Sequence, residues 1–208
     1  MTGTPPRPSP SPAKAPSPRR RGPGSRADHN HPTRWELLEA AIELAEHRGL
    51  QALSVADITA AAGHAKGTFY VHFPDRAAFL VALHRWFHDR VFAQVIAETA
   101  GEPPGPERAR RRLLSFLDAC RALPGVRALL LDARSEPAIA VEVERRNRQA
   151  AQTLSADLRG VSAHPLETTR ILVLAAADIA GRESTQRRKL PIARDSLIAL
   201  VPWISHSG

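Results

Sequence analysis

The sequence predicts an all-α fold. From Thr33 onward, apolar residues recur at helical spacing, and no stretch alternates β-branched and polar residues as a strand would. Breaks in the helical pattern coincide with glycine and proline, most clearly between Gly101 and Pro106. No apolar run approaches the roughly 20 residues that a membrane-spanning helix needs. We therefore predict a bundle of helices joined by short turns, with no membrane partner.

The first predicted helix follows Thr33. Its inner face is assigned to Trp35, Leu38, Ile42 and Ala45, and Gly49 is expected to end it.

A second, short helix is predicted to begin at Val55. Ser54 is suited to cap its first turn, with Asp57 three residues later in a near match to a capping box. Ile58 shares a face with Val55. Gly63 can then adopt the left-handed conformation that ends a helix.

The third predicted helix runs from Lys66 to His72 and buries Phe69 and Phe73. Gly67 would let the helix backbone approach a DNA duplex closely. The remaining face carries side chains that can donate hydrogen bonds to phosphates or base edges: Lys66, Thr68, Tyr70 and His72. Two short helices joined at a glycine turn predict a helix-turn-helix.

The segment from about Arg34 to Leu83 resembles the N-terminal DNA-binding domain of the TetR family of bacterial transcription regulators. Two positions depart from the family pattern: Ala65 replaces the usual Ser or Thr cap of the recognition helix, and His64 replaces a small aliphatic residue. A lost cap costs about 1 kcal/mol, so full ordering of this helix is expected only on DNA. The resemblance is carried by Leu37-Leu38, Ala40-Ala41, Leu44, Gly49, Ser54-Val55, Ile58, Ala62-Gly63, Lys66-Gly67-Thr68-Phe69-Tyr70, His72-Phe73, Arg76 and Phe79-Leu80.

The resemblance implies a homodimer that binds double-stranded DNA at a palindromic operator. It places Lys66, Thr68 and Val71 near base edges, whereas Tyr70 and His72 would contact phosphates. The full set of expected DNA-contacting residues is Ser54, Lys66, Gly67, Thr68, Tyr70, Val71, His72 and Arg76.

A fourth helix is predicted from near Asp75 to about Thr99, with Phe79, Leu83, Trp86 or Phe87, and Val91 on its buried side. It is long enough to leave a DNA-binding domain at 33–80 and enter a ligand-binding and dimerisation domain at 81–204. Further helices are expected at about 106–122, 125–133, 136–159, 165–187 and 191–204.

The last two of these helices are the candidates for the family's four-helix dimer interface. Small residues at Ala175, Ala176 and Ala177 would permit close helix approach, and the final helix presents Ile192, Leu197, Leu200, Val201 and Trp203. The alternative is that both are ordinary core helices of a monomer.

The resemblance also implies a pocket in which a small-molecule inducer releases a repressor from its operator, and the composition indicates a mainly apolar pocket. A plain core role remains the alternative for each candidate, and Asp178 could instead face solvent. The candidate wall residues are Trp86, Phe87, Phe116, Cys120, Leu130 and Asp178.

Signals for other chemistry are weak. His84 and His88 lie four residues apart, but no third metal ligand is placed by the sequence, and Arg85 and Asp89 beside them indicate a solvated face. Cys120 is either a packing residue or a thiol activated by Arg121.

No motif argues for an enzyme or a cofactor. The acidic residues Glu142 and Glu144 fall among arginines and indicate a charged helix surface. A single cysteine suits the reducing cytoplasm.

Residues 1–32 form a basic, proline-rich arm. Six basic residues and one acidic residue give it +5 of the chain's net charge of +8, and it holds nine of the eighteen prolines, so we expect disorder. The arm could track phosphates or a minor groove, or be a solvated extension. A non-specific or architectural DNA-binding protein is therefore the alternative function.

Overall fold

A computed structural model describes residues 31–48, 53–133 and 136–201 of the 208-residue chain. Every regular element in these ranges is helical, so the predicted all-α class is confirmed. The expectations about the arm, Gly49 and Trp203 lie outside the described residues. The helices are α1 (Pro32–Arg48), α2 (Val55–Ala61), α3 (Lys66–His72), α4 (Arg76–Glu98), α5 (Pro106–Arg121), α6 (Pro124–Asp132), α7 (Pro137–Ser155), α8 (Pro165–Gln186) and α9 (Pro191–Ala199).

Helix starts follow the prolines closely. Proline occupies the first turn of α5, α7, α8 and α9, where its missing N–H and fixed φ are harmless. This explains why the predicted starts agree with the structure to within one residue. At the other end of α7, a 3-10 turn (Ala156–Leu158) completes the predicted span.

The N-terminal helices pack around three phenylalanines. Phe69 and Phe73 come from α3 and its end, and Phe79 comes from the first turn of α4. Their ring centroids lie 5.0 to 5.3 Å apart, and all three rings are buried. Offset and edge-to-face aromatic contacts of this kind add to the burial energy, so the cluster fixes α3 relative to α4.

The predicted inner face of α1 is wrong at Trp35. Its side chain is 38% exposed, whereas Leu37 and Ala41 are fully buried. The helix contacts α2 and also α6. Its buried side chains therefore cover a wider arc of the helix than packing on one neighbour would require.

Helix α4 begins as predicted: Asp75 caps it by accepting a 2.7 Å hydrogen bond from the Ala78 N–H. It then continues to pack against α5 and α7. Phe87 rather than Trp86 supplies its buried aromatic residue. The proposed domain boundary at residue 80 falls within this continuous helix and stays a prediction.

Helices α1 and α6 meet at Gly125. A Cβ atom added there would lie 2.3 Å from the carbonyl oxygen of Ala45 and 2.9 Å from the Cα of Glu46. Beside this contact, the Val126 N–H donates a 2.9 Å hydrogen bond to the Glu46 carboxylate. The N-terminal helices are thus joined directly to α6 through a position that excludes any side chain.

Gly125→Ala should therefore destabilise the protein, because the clash is with backbone that cannot rotate away. Overpacking of this kind costs about 1–3 kcal/mol. Gly181→Ala is the matched control: its Cβ would make an ordinary contact, 3.5 Å from Leu131, and alanine favours the helix by about 1 kcal/mol. Chemical denaturation of both variants measures the difference. Equal stability of the two would contradict this account of the α1–α6 junction.

Candidate nucleic-acid interface and ligand cavity

Local hydrogen bonds and one glycine set the turn between α2 and α3. Ser54 caps α2, accepting from the Asp57 N–H at 3.1 Å, and its hydroxyl also donates to the Asp57 carboxylate. Gly63 has φ +70°, the left-handed conformation that favours glycine. Ala65 makes no side-chain cap for α3, and its carbonyl accepts from the Thr68 N–H at 2.8 Å.

The exposed side of α3 forms what we call the recognition face. The side chains of Lys66, Tyr70 and Val71 are exposed, and Thr68 is half-buried. Apart from its chain neighbours and its own helix backbone, no atom of the described residues lies within 4 Å of a Cβ built on Gly67, so no described side chain blocks approach to the backbone there. Nearby, Ser54 and Arg76 are also exposed. The recognition face consists of Lys66, Gly67, Thr68, Tyr70 and Val71.

His72 was predicted to lie on this face, and that prediction is wrong. Its side chain is only 6% exposed, with its ring centroid 4.9 Å from that of His31. Its carbonyl accepts a 2.7 Å hydrogen bond from Arg34, whose guanidinium also lies over the Phe73 ring. His31 immediately precedes α1 and Arg34 lies in its first turn, so helical spacing within α3 could not reveal these contacts.

His64, which stands where the family has a small aliphatic residue, is half-buried in the turn. Its Nε2 lies 2.7 Å from the Glu36 carboxylate. The unusual residue in the turn thus links α1 to the α2–α3 connection.

A cavity of about 110 Å³ lies within the C-terminal helices. Its walls come from α4, α5, α6, α7 and α8. Most of the wall is apolar, as predicted, and includes Val91, Phe92, Val95, Phe116, Leu130 and Val173. The polar part of the wall includes His84, His88, Arg112, Arg127, Arg146 and Gln149.

Of the predicted wall residues, Phe116 and Leu130 line this cavity. Trp86, Phe87 and Cys120 do not; Phe87 and Cys120 are packed in the core. Asp178 also lies elsewhere: it is exposed on α8, 3.7 Å from Arg182. The periodicity of one helix cannot tell which buried face meets another helix and which meets a cavity.

The expectation of a solvated face at His84 and His88 is wrong for His84, whose side chain is buried. The two rings stack with centroids 4.3 Å apart and both line the cavity. No group of three or more potential metal ligands occurs among the described residues.

Cys120 is buried, and burial raises the pKa of its thiol to about 11. The thiolate is the reactive form of cysteine. The packing interpretation therefore fits this thiol better than the redox alternative.

Glu142 was assigned to a charged helix surface, and that assignment is wrong. Its carboxylate is buried between α4 and α7, within 3.2 Å of the guanidinium groups of Arg85, Arg145 and Arg146. Burial alone would raise the pKa of Glu142, but the hydrogen bond from Arg145 and the nearby arginines lower it to about 2. This ionised carboxylate joins α7 to α4.

Large apolar side chains are exposed on α8, where they are Ile171 and Leu174, and on α9 and its C-cap, where they are Ile192 and Leu200. Ala176, the predicted small residue at a dimer crossing, is instead buried inside the protomer and lines the cavity. The prediction that Ala176 lies at a dimer crossing is therefore wrong.

No described helix is both long enough and apolar enough to cross a membrane.

The helix-turn-helix with its exposed α3 places the N-terminal part of the chain among DNA-binding domains of transcription regulators. Residues 37–83 match the family model described as bacterial regulatory proteins, tetR family. The uncharacterized HTH-type transcriptional regulator YuxN of Bacillus subtilis (strain 168) is 29% identical over 82 residues, which cover 39% of this chain and 28% of that protein. The chain thus matches less than a third of this relative's length.

Solved structures extend the likeness to most of the fold. A TetR transcriptional regulator from Rhodococcus sp. RHA1 has a TM-score of 0.60 and 21% identity, covering 81% of this chain and 92% of that one. The multidrug binding protein EbrR, complexed with imidazole, has a TM-score of 0.64 and 24% identity, covering 84% and 98%. The resemblance inferred from the sequence is confirmed: residues 37–83 match the TetR-family model, and the fold is similar to that of solved TetR-family regulators.

Proposed function

We propose that this protein is a dimeric, sequence-specific DNA-binding repressor of the bacterial cytoplasm that a small molecule releases from its operator. The observation that carries the proposal is the recognition face of α3. It combines a cation, a hydroxyl, a phenol and an accessible glycine backbone on a helix whose opposite side is anchored in the phenylalanine cluster. Such a face can meet both phosphates and base edges in a major groove.

Selection of binding sites from a random duplex library tests sequence specificity. We expect a palindromic consensus, because a two-fold dimer presents the same helix to two half-sites about 34 Å apart. Binding of the selected site should survive an excess of unrelated DNA. Equal competition by unrelated DNA would support the non-specific, architectural alternative.

Lys66→Ala should change base preference at one or two positions per half-site. A good bidentate contact contributes about 1–3 kcal/mol of discrimination. Tyr70→Phe should instead weaken binding to all sequences, because a phosphate contact positions the helix without specifying a base. Repeating the selection with each variant measures both effects. An unchanged consensus for Lys66→Ala would remove its role in base recognition.

Dimerisation is proposed to use the exposed apolar side chains of α8 and α9. Leu174→Asp combined with Leu200→Asp should convert the dimer to a monomer, because each aspartate would lose water on association. Val141→Asp is the matched control, since Val141 is equally apolar and exposed but lies on α7. Light scattering without DNA measures the oligomeric state of the wild type, the double variant and the control. A wild-type monomer at micromolar concentration, or a double variant that stays dimeric, would contradict this interface.

The cavity supports a ligand-responsive function, because it lies against α4, the helix that continues from the recognition domain. A ligand that fits one α4 position better than another shifts the equilibrium between them by its differential affinity. This is the proposed route from ligand binding to operator release.

The arm is expected to be a solvated extension. Deleting residues 2–30, which keeps the His31 contact to His72, should leave the slope of log affinity against log salt unchanged. Titrations on operator and scrambled DNA measure this slope. A decrease of about 0.9 per lost contact would indicate phosphate binding, and loss of sequence preference would indicate minor-groove recognition.

A further inference from the structure

The charged groups that line the cavity all have one sign. These charged groups are the guanidinium groups of Arg112, Arg127 and Arg146; the imidazoles of His84 and His88 also line the cavity. Among the described lining residues there is no aspartate or glutamate. A cationic ligand would find no partner carboxylate on this wall, whereas an anionic group on an apolar body would match both its charge and its hydrophobic surface.

Two of the three arginines are held by buried protein groups. Arg112 lies 2.7 Å from Asp157, which is fully buried and also pairs with Arg108. Arg127 donates a 3.2 Å hydrogen bond to the buried carbonyl of Ala177. Replacing either contact would disturb the interior.

Arg146 differs because one of its partners is at the surface. Its Nη1 lies 2.6 Å from Asp89, whose side chain is 66% exposed. Asp89 remains well solvated if this ion pair is broken, whereas Arg146 is largely buried and keeps its 3.2 Å contact to Glu142. Of the three arginines, Arg146 is therefore the one that can exchange a partner for the anionic group of a ligand without leaving a buried carboxylate unpaired.

The surrounding charges favour an added anion. Among the described residues, the ion-pair cluster of Arg85, Arg145 and Arg146 contains two carboxylates, Glu142 and Asp89. Three cations and two carboxylates leave the cluster with one positive charge. A ligand carboxylate would complete the balance.

The same arginine is a contact between α7 and α4. Besides Asp89, it reaches the carbonyl oxygen of Arg85 at 3.4 Å, and both residues belong to α4. We propose that the cavity binds an amphipathic carboxylate through Arg146, and that this binding withdraws Arg146 from Asp89 and loosens α7 from α4. The effect of this ligand on operator binding rests on the proposed function, whereas binding of the ligand does not.

Calorimetry without DNA tests the ligand class. The full-length protein is titrated with octanoate, 1-octanol and octylamine, which share a chain length but differ in the head group. Octanoate should bind about ten-fold or more tightly than the other two, as one charge-assisted hydrogen bond provides. Absence of octanoate binding at millimolar concentration, or equal binding of the alcohol or amine, would overturn the proposal.

Arg146→Gln should remove the preference for octanoate. Arg148→Gln is its control. Arg148 lies on the same helix and pairs with Glu144 four residues earlier, as Arg146 pairs with Glu142. The side chains of Arg148 and Glu144 are exposed, and neither lines the cavity. Circular dichroism confirms that each variant is folded. Retained preference in Arg146→Gln, or an equal loss in Arg148→Gln, would overturn the assignment to Arg146.

Asp89→Asn tests the connection to α4 without altering the cavity wall. This variant should bind octanoate at least as tightly as the wild type, because the competing carboxylate is gone. Octanoate should weaken operator binding by the wild type and have a smaller effect on Asp89→Asn; an equal effect would contradict the connection. A protein that binds octanoate but no operator would contradict the proposed function alone, whereas one that binds operator but not octanoate would contradict this inference alone.

Discussion

Phe69→Ala is expected to lower the free energy of unfolding by about 3–5 kcal/mol, the usual range for a buried phenylalanine. Phe69 is fully buried, and its ring contacts those of both Phe73 and Phe79. The loss would leave a void at the point where α3 is fixed to α4. Operator binding should therefore be lost together with stability.

Tyr70→Ala is the matched control, because Tyr70 is the next residue in the chain and its ring is half exposed. This variant should bind DNA poorly but lose much less stability than Phe69→Ala, because the Tyr70 ring meets Phe69 only edge-on and is 52% exposed. Urea denaturation and operator titration of both variants separate the two effects. A cost below about 1 kcal/mol for Phe69→Ala would contradict the anchoring role of the phenylalanine cluster.

Glu183→Ala should have an effect of similar size on the C-terminal domain. Glu183 forms a bidentate pair with Arg194, with both N–O distances 2.7 Å, and accepts from the Leu190 N–H at 2.8 Å. Removing one member of a buried ion pair typically costs about 3–5 kcal/mol, because the other charge remains buried. Arg194 keeps a 2.8 Å contact to the half-exposed Asp118, so the lower end of this range is expected. Glu167→Ala, which removes an exposed pair with Arg170, should change stability by at most about 1 kcal/mol. Denaturation of both variants at neutral pH provides the comparison.

The Glu183 contribution should depend on pH. Burial alone would raise the pKa of Glu183, but the hydrogen bonds from Arg194 and Leu190 outweigh it and lower the pKa. The stabilisation is therefore fully present above the unfolded-state pKa of about 4.3 and is lost as the pH falls through the lower folded-state pKa. The difference in stability between wild type and Glu183→Gln should shrink below about pH 4. A difference that is constant down to pH 2 would contradict this assignment.

Local sequence signals predicted the helices well, because their causes are local. The proline at each C-terminal helix start, the cap at Ser54 and the left-handed turn at Gly63 all act within a few residues. The helix-turn-helix was recognisable for the same reason. Its exposed and buried positions, except His72, follow the pattern of one short helix packed on one side.

The errors concern contacts between distant segments. His72 lies against His31 beside α1, Trp35 is exposed although helical spacing placed it on the inner face, and Ala176 lines the cavity. Glu142 is buried by arginines on two helices. The helical period shows which residues share one side of a helix, but it does not show which neighbouring segment that side contacts.

The most direct test of the central claim is the dependence of affinity on half-site spacing. A dimer with two fixed recognition helices requires half-sites on the same side of the duplex, about one turn apart. Inserting 5 base pairs at the centre of the selected operator rotates one half-site by about half a turn and should reduce affinity to that of a single half-site. Inserted and unmodified operators are titrated with the wild-type protein at one salt concentration. Equal affinity for the two would contradict the account of a dimer that recognises two half-sites together.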